Sequence, residues 1–243
     1  MQHKSISNAR QGSLGFYLPR PLGTGEFREA CSLWVGEAQS VAGISADDAN
    51  GIFNHSPDGR PRNHLSPYRF ATDGNWGLVH ALGDEAVGVL KKLADVAMSS
   101  RRLPALFATP QWEDRNVGVE LDGEPVSYWL PDMIVCRNAE QHARWNKSTR
   151  TEKAAHVQDL LDRGIRRQLE LLGLQVELPQ VSVVEIKRER AVPKLRKTPA
   201  NAYVRVATTA FTMSARLHGH WAAGSLINRG YGSIVAMSPV AKA

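Results

Sequence analysis

The order of strand-like and helix-like patterns in the N-terminal half is the feature that most constrains the fold. The predicted elements are a strand at Ser13–Leu22, a helix at Gly25–Gly43, a hairpin at Tyr68–Leu82 with its turn at Asp73-Gly74, a helix at Gly83–Met98 and a strand at Leu103–Thr109. The order β-α-β-β-α-β is that of the ferredoxin-like fold, which is therefore expected for this half.

The remainder of the chain repeats this order less regularly. Its predicted elements are a hairpin at Val117–Cys136 with its turn at Asp122-Gly123, a helix at about 147–172, and strands at Gln180–Glu189 and Ala202–Trp221. We therefore predict an α+β protein with two ferredoxin-like (RRM-like) halves. The predicted domains are residues 1–112 and residues 113–243, and this division depends on the order of elements alone.

Charge is distributed unevenly along the chain. Residues 181–243 contain 10 of the 30 Lys and Arg residues but only two acids, Glu185 and Glu189, of the 24 in the chain. The net charge of +6 therefore originates in the last quarter. A long stretch of one sign indicates a polyanionic partner, and nucleic acid is the expected one. An anionic membrane surface is the rival, but this stretch contains no basic amphipathic helix.

Composition excludes several classes of protein. The 243 residues are 42% hydrophobic and 22% charged, as in ordinary soluble domains. No apolar run approaches the ~18 residues of a membrane span, and no secretory signal is visible, so a cytoplasmic protein is expected. Cys31 and Cys136 have no zinc-site spacing and are expected to be buried. His218 and His220 would share a strand face, but they lack a third ligand and are expected to be structural or RNA-contacting.

A long helix in the second half carries several arginines. Projected as a helix, Ser148–Leu174 places its apolar residues on one face, and His156, Arg163 and Arg167 on the opposite face with Arg166 at its edge. Asp159 and Asp162 are spaced to pair with Arg163 and Arg166 at i,i+4. The helix is either a solvated surface helix or an arginine face that contacts RNA phosphates. The RNA-binding candidates on it are Arg150, His156, Arg163, Arg166 and Arg167.

The segment "IKRERAVPKLRKTP" links two predicted strands and is strongly basic. Only Glu189 opposes its positive charges, which would repel one another unless an anion were bound there. Its RNA-binding candidates are Lys187, Arg188, Arg190, Lys194, Arg196 and Lys197.

A glycine-rich segment, "GSLINRGYGSIVAMS", lies near the C-terminus. It is no dinucleotide fingerprint, because Val235 occupies the third glycine position, and it contains no P-loop lysine. Gly230 and Gly232 either form a tight turn that needs positive φ, or allow RNA phosphates to approach the backbone beside Arg229.

These parts together resemble the repeat-processing endoribonucleases of CRISPR systems, which belong to the RAMP superfamily. The likeness is to the type I-F enzyme over roughly Ser148 to Pro239. There "AYVRVATTAFTMSARLHGH" resembles the family's strand pair and "GYGSIVAMSP" its closing Tyr-Gly segment. Size and the divergent N-terminal half favour a type IV homologue.

The resemblance implies a specific activity. Such enzymes bind a hairpin in the CRISPR repeat and cut precursor RNA once at the base of the stem, without a metal or other cofactor. The ribose 2′-OH attacks the adjacent phosphate and leaves a 2′,3′-cyclic phosphate and a 5′-OH, which requires a base, an acid and cations. Retention of the product in an effector complex with other CRISPR subunits is also expected. The alternatives are a non-catalytic RAMP subunit that binds or caps guide RNA, and a folded basic structural protein.

The resemblance also implies a catalytic histidine in the N-terminal half. The candidates are His55, His64 and His80. We favour His64, because Arg62 and Arg69 flank it and cations stabilise a developing anion. His80 is expected to be a structural strand residue.

Two further catalytic positions follow from the resemblance. Thr208 stands where the family has a strand serine, and Tyr231 where it has a tyrosine in the terminal loop. Some members of the superfamily lack a catalytic histidine and use arginine or lysine instead. Arg20 and Arg28 are the candidates for that case.

Overall fold

A computed structural model describes residues 5–56, 58–60, 62, 65–99, 103, 105–121, 124–193 and 203–237. Its helices are α1 (Thr24–Ala42), α2 (Ala46–Ile52), α3 (Asp84–Ser99), α4 (Ala139–Lys147) and α5 (Arg150–Leu171). Its strands are β1 (Ser5–Tyr17), β2 (Tyr68–Thr72), β3 (Trp76–Leu82), β4 (Ala108–Leu121), β5 (Val126–Cys136), β6 (Ser182–Pro193), β7 (Tyr203–Met213), β8 (Arg216–His218), β9 (Trp221–Ala222) and β10 (Ser233–Ala236). A 3-10 turn spans Ile227–Arg229.

The N-terminal half has the predicted ferredoxin-like arrangement. Its sheet has the order β2-β3-β1-β4-β8, and neighbouring strands are antiparallel. Helices α1 and α3 bury their apolar faces against this sheet. Aromatic rings fill the centre of this core, where Phe16 and Phe107 stack with ring centroids 4.6 Å apart.

The described part of the C-terminal half has the same strand order, but it has no α-helix between β7 and β10. Its sheet runs β6-β7-β5-β10-β9, and the first four strands are again in ferredoxin-like order. Helix α5 covers the inner face with Val157, Leu161 and Ile165, which are fully buried as the helical projection predicted. Between β7 and β10, two short strands and the 3-10 turn stand where the second helix would be.

One predicted hairpin is wrong. Val117–Cys136 is not a hairpin, because β4 pairs with β1 and β8 while β5 pairs with β7 and β10. Alternating apolar residues identify a strand but leave its partner open. The predicted boundary between residues 112 and 113 falls inside β4, and the division into two domains stays a prediction.

The two halves are interlocked by β8, a strand from the C-terminal quarter of the chain. β8 pairs with β4, with Val119 opposite Leu217, and so extends the N-terminal sheet. The glycine-rich segment then lies on the outer face of the C-terminal sheet, where Leu226 and Tyr231 pack against Ile134 and its neighbours. Both cysteines are buried, as predicted. In the described part of the chain, no helix is long and apolar enough to cross a membrane.

Candidate functional site

A cleft of about 280 Å³ lies between the two halves and is strongly basic. Its lining comes from α1, the segment after α2, the end of β5, helix α5 and the glycine-rich segment. None of the described lining residues is Asp or Glu, so the cleft is suited to an anion. The basic residues that line it are Arg28, His55, Arg62, Arg137, Arg167 and Arg229.

Arg28 is held in a defined orientation at the cleft. Its Nη2 donates to the carbonyl oxygen of Phe53 at 2.6 Å. Its guanidinium carbon lies 5.4 Å from the ring centre of Phe53 and 5.7 Å from that of Phe70. Stacking on two rings and one directional hydrogen bond restrict the rotamers of the side chain, so its positive charge is preorganised.

The segment that carries His55 is closed by a pair of hydrogen bonds. The backbone N–H of Arg62 donates to the carbonyl oxygen of Asn54 at 2.9 Å, and Asn54 Nδ2 donates to the carbonyl oxygen of Arg62 at 3.1 Å. Asn54 adopts a left-handed conformation with φ of 58°, which asparagine tolerates better than most residues. Arg62 also forms an ion pair with Asp47 on α2. These contacts hold the segment that carries His55, which lines the cleft.

Helix α5 presents one arginine to the cleft. Arg163 pairs with Asp159 at 2.5 Å and Arg166 pairs with Asp162 at 2.8 Å, which confirms the predicted i,i+4 ion pairs. Arg167 lies in the cleft, and no carboxylate of the described residues pairs with its guanidinium.

The other two candidates on this helix lie elsewhere. His156 Nε2 lies 3.2 Å from the carbonyl oxygen of Val135, and its ring packs against Trp145. Arg150 lines a separate pocket at the start of α5. Of the five candidate residues on the helix, the structure brings only Arg167 to the cleft.

Gln168, the residue after Arg167, is fully buried and ties α5 to both halves. Its Oε1 accepts from Arg69 Nη2 at 2.5 Å and from the backbone N–H of Ala222 at 3.2 Å. Its Nε2 donates to the carbonyl oxygen of His220 at 3.0 Å. Arg69 is 0% exposed, and burial lowers its pKa to about 9. These hydrogen bonds hold Arg167 in place relative to β2 and to β9, which directly precedes the glycine-rich segment.

Two histidines are stacked in the interface between the halves. The rings of His80 and His220 lie 4.2 Å apart, and His80 Nδ1 lies 2.8 Å from the hydroxyl of Ser13. Burial and then the charge of Arg69 lower the pKa of His80 to about 4. Burial also lowers the pKa of His220. His218 pairs instead with Glu120 at 3.0 Å, so His218 and His220 have separate partners.

Thr208 and Tyr231 lie on the outer face of the C-terminal sheet and do not line the cleft. The Thr208 hydroxyl donates to the carbonyl oxygen of Pro131 at 2.7 Å. Burial, followed by the charge of Asp132, raises the pKa of Tyr231, while Arg190 and Arg229 oppose this shift. Arg229, whose charge acts on Tyr231, also lines the cleft.

The basic residues of β6 lie along the edge of the same sheet. Lys187 pairs with Glu185 at 2.8 Å and Arg190 pairs with Asp132 at 2.8 Å. Arg188 is exposed at a β-bulge, with φ of 49°. The catalytic candidate His64 and the RNA-binding candidates Lys194, Arg196 and Lys197 lie outside the described residues, and their roles stay predictions.

The glycines of the terminal segment pack against protein. A Cβ on Gly230, whose φ is 87°, would lie 2.8 Å from the carbonyl oxygen of Phe70. A Cβ on Gly232, whose φ is 73°, would collide with the carbonyl oxygen of Ala223. Both positions therefore require glycine for conformation and packing, whatever the segment binds.

Sequence reasoning missed one cleft residue and did not favour another. Arg137 follows β5 directly, and as an isolated arginine after a buried strand it carried no signal in the sequence. His55 was considered, but apart from Arg62 the arginines that line the cleft with it come from distant parts of the chain. Arg20, proposed as an alternative cation, is exposed and is not part of the cleft lining.

Comparisons with known proteins agree with this architecture. The family model described as "Type IV CRISPR-associated endonuclease Csf5" matches residues 10–239. A solved structure titled "Csf5, CRISPR-Cas type IV Cas6 crRNA endonuclease" is 17% identical with a TM-score of 0.65, over 94% of this chain and 100% of that one. Another, titled "Crystal structure of Cas6b", is 12% identical with a TM-score of 0.70, over 95% and 100%. At these identities the structural likeness shows a shared fold. No curated protein sequence matches the chain significantly.

Proposed function

The chain belongs to the type IV CRISPR-associated endonuclease family Csf5, and we propose that it cuts CRISPR repeat RNA with the scissile phosphate held in the arginine cleft. The observation that carries this proposal is the cleft lining itself. Five arginines and His55 converge from five segments of the chain, and no described lining residue is acidic. A pocket of this charge binds a phosphodiester through charge-assisted hydrogen bonds.

The proposed reaction is an internal transfer at one phosphate. The ribose 2′-oxygen forms a bond to the adjacent phosphorus, and the bond from phosphorus to the 5′-oxygen breaks. A base takes the proton of the 2′-OH and an acid protonates the leaving 5′-oxygen, so the products are a 2′,3′-cyclic phosphate and a 5′-OH. Negative charge builds on the non-bridging oxygens in the transition state. Arg28 is preorganised to stabilise that charge, since its orientation is set before RNA binds.

His55 is the proposed proton-transfer residue of the described cleft. An imidazole titrates near neutral pH and can act as a base or as an acid. His64, in the same inter-element segment, stays the alternative. Neither role requires a metal ion, and we propose a metal-independent cut.

Binding is proposed to extend from the cleft over the adjoining basic surface. Arg167 and Arg229 would contact phosphates next to the scissile bond, because they line the same cleft from α5 and the glycine-rich segment. The basic residues of β6 would contact the RNA further along. We propose that Tyr231 takes part in the reaction beside Arg229, at the edge of the site.

A cleavage assay tests this function. The purified chain is mixed with the repeat RNA of its own CRISPR array in excess EDTA, beside RNAs with a single 2′-deoxy substitution at each candidate cut. One cut that survives EDTA and disappears with one deoxy position is the expected result. Binding without a cut would establish the non-catalytic RNA-binding subunit instead.

Single substitutions then separate chemistry from binding. His55→Ala is expected to slow the cut by about 10²–10⁴-fold while the RNA affinity remains, the usual contribution of a proton-transfer group. His64→Ala is the matched comparison. If it alone abolishes cleavage, His64 is the proton-transfer residue, and if neither variant slows the cut, catalysis depends on the arginines alone.

A further inference from the structure

The outer face of the C-terminal sheet carries an exposed aromatic side chain. Trp129 lies on β5, a central strand, and is paired with Val235 on β10 and with Ala210 on β7. Directly paired residues share a face of the sheet. Trp129 is 41% exposed and Val235 42%, whereas the flanking Tyr128 and Leu130 point inward under α5 and are buried.

The described chain leaves this part of the face open. Helix α5 covers the inner face, and the glycine-rich segment covers the outer face only near Ile134. The outward residues of β7 on this face are Thr208, Ala210 and Thr212, which are small. A flat aromatic ring thus stands among short side chains, with room for one planar group against it.

Positive charge borders this face along β6. Lys187 lies opposite Thr208, on the same face as Trp129, and pairs with Glu185, which lies opposite Ala210. Arg190, opposite Val206, is the next paired residue along the strand. Arg188 occupies the bulge between them, is exposed, and has no acidic partner among the described residues. A bulge re-aims the side chain it carries, and here the redirected side chain is an unneutralised guanidinium.

We propose that Trp129 stacks on one base of an unpaired RNA segment that adjoins the hairpin, with Arg188 and Lys187 on its phosphates. The inference rests on the proposed function, because the hairpin would occupy the cleft and Arg229 and Tyr231 connect the cleft to this face. An aromatic residue on a central strand of a four-stranded sheet is how RNA-recognition modules bind single strands. The positive charge of Arg188 and Lys187 favours RNA over a second protein as the partner of this face. Since β7 offers no second aromatic ring here, one base is expected to stack.

The test compares two RNAs on four proteins. One RNA is the repeat hairpin with its unpaired flanks, with 2-aminopurine placed at successive flank positions, and the other is the hairpin alone. The proteins are the wild type, Trp129→Leu, Trp129→Tyr and Leu33→Ala. Leu33 is 71% exposed on α1 and serves as the matched control for loss of an exposed apolar side chain.

Trp129→Leu is expected to weaken binding of the flanked RNA by about fivefold or more and to leave the affinity for the hairpin alone unchanged. Trp129→Tyr should retain the affinity for the flanked RNA, and Leu33→Ala should leave the affinity for both RNAs unchanged. The fluorescence of one 2-aminopurine should lose its quenching only when the protein is Trp129→Leu. An unchanged affinity of Trp129→Leu for the flanked RNA would overturn the proposal, as would an equal loss on both RNAs. A change of its oligomeric state without RNA would identify a protein interface instead. If the wild type binds neither RNA, the proposed function itself fails and the inference with it.

Discussion

Removal of the Gln168 amide is predicted to destabilise the protein and to misplace Arg167. Gln168→Met keeps the shape of the side chain and removes its hydrogen-bonding groups. The Arg69 guanidinium then loses a charge-assisted partner, worth about 1.5–3 kcal/mol. The backbone N–H of Ala222 loses its acceptor in a buried place, at a further cost of about 1–3 kcal/mol.

The expected loss is therefore about 2.5–6 kcal/mol in the free energy of unfolding, a large part of the ~5–15 kcal/mol of a typical domain. Urea denaturation followed by circular dichroism measures it. Glu170→Met, on the exposed side of the same helix, is the matched control and should change stability by less than about 0.5 kcal/mol. RNA affinity, measured in the absence of urea, should also fall, because α5 loses its anchor beside Arg167.

A double-mutant cycle isolates the bond between the two side chains. Arg69→Met removes the buried charge, so in the Arg69→Met background Gln168→Met should cost less than in the wild type, with a coupling of about 1.5–3 kcal/mol. Additive effects of the two substitutions would refute this account of the interface. A cost below about 1 kcal/mol for Gln168→Met alone would refute it equally.

Three further predictions concern the interface, the glycine-rich segment and the cleft. Because the pKa of His80 is about 4 in the folded chain and ~6.5 when unfolded, the unfolded state binds more protons between these values. The stability conferred by neutral His80 is complete above about pH 6.5 and is lost as the pH falls towards 4. The loss in the free energy of unfolding is on the order of 3 kcal/mol. Urea titrations at several pH values should therefore show a shallower pH dependence of stability for His80→Asn than for the wild type. Gly232→Ala should lower the melting temperature strongly. The control is Gly88→Ala in α3, which should preserve or raise the melting temperature, because a Cβ there meets nothing within 4 Å. Equal effects of the two substitutions would contradict the packing argument. Arg167→Ala should weaken repeat-RNA binding and reduce its salt dependence by about one phosphate contact. Arg166, which is ion-paired with Asp162, is the comparison. A larger effect of Arg166→Ala would place the RNA on the other face of α5.

Local patterns in the sequence predicted the three long helices and several contacts correctly. They did not predict α2, α4 or β10, and they placed a strand at Leu103–Thr109, whereas β4 begins at Ala108. The apolar period of α5 identified Val157, Leu161 and Ile165 as buried, and the spacing of Arg163 and Arg166 from two aspartates predicted their ion pairs. The order of elements led to the two ferredoxin-like halves, and the family match confirms the resemblance to CRISPR repeat-processing enzymes. The buried face of α5 and its ion pairs depend on residues a few positions apart, whose relation is set by helix geometry.

The functional arrangement depends on the tertiary structure. The cleft joins Arg28, Arg137 and Arg229, which are separated by about a hundred residues each, and no local period relates them. Strand pairing is likewise non-local, so the segment around Val117–Cys136 read as a hairpin although its two strands belong to different sheets. The long helices and the concentration of positive charge could be predicted from the sequence, because both follow from neighbouring residues. Only the packing of the two halves decided which of those charges meet in one cleft, since that depends on contacts between residues far apart in the chain.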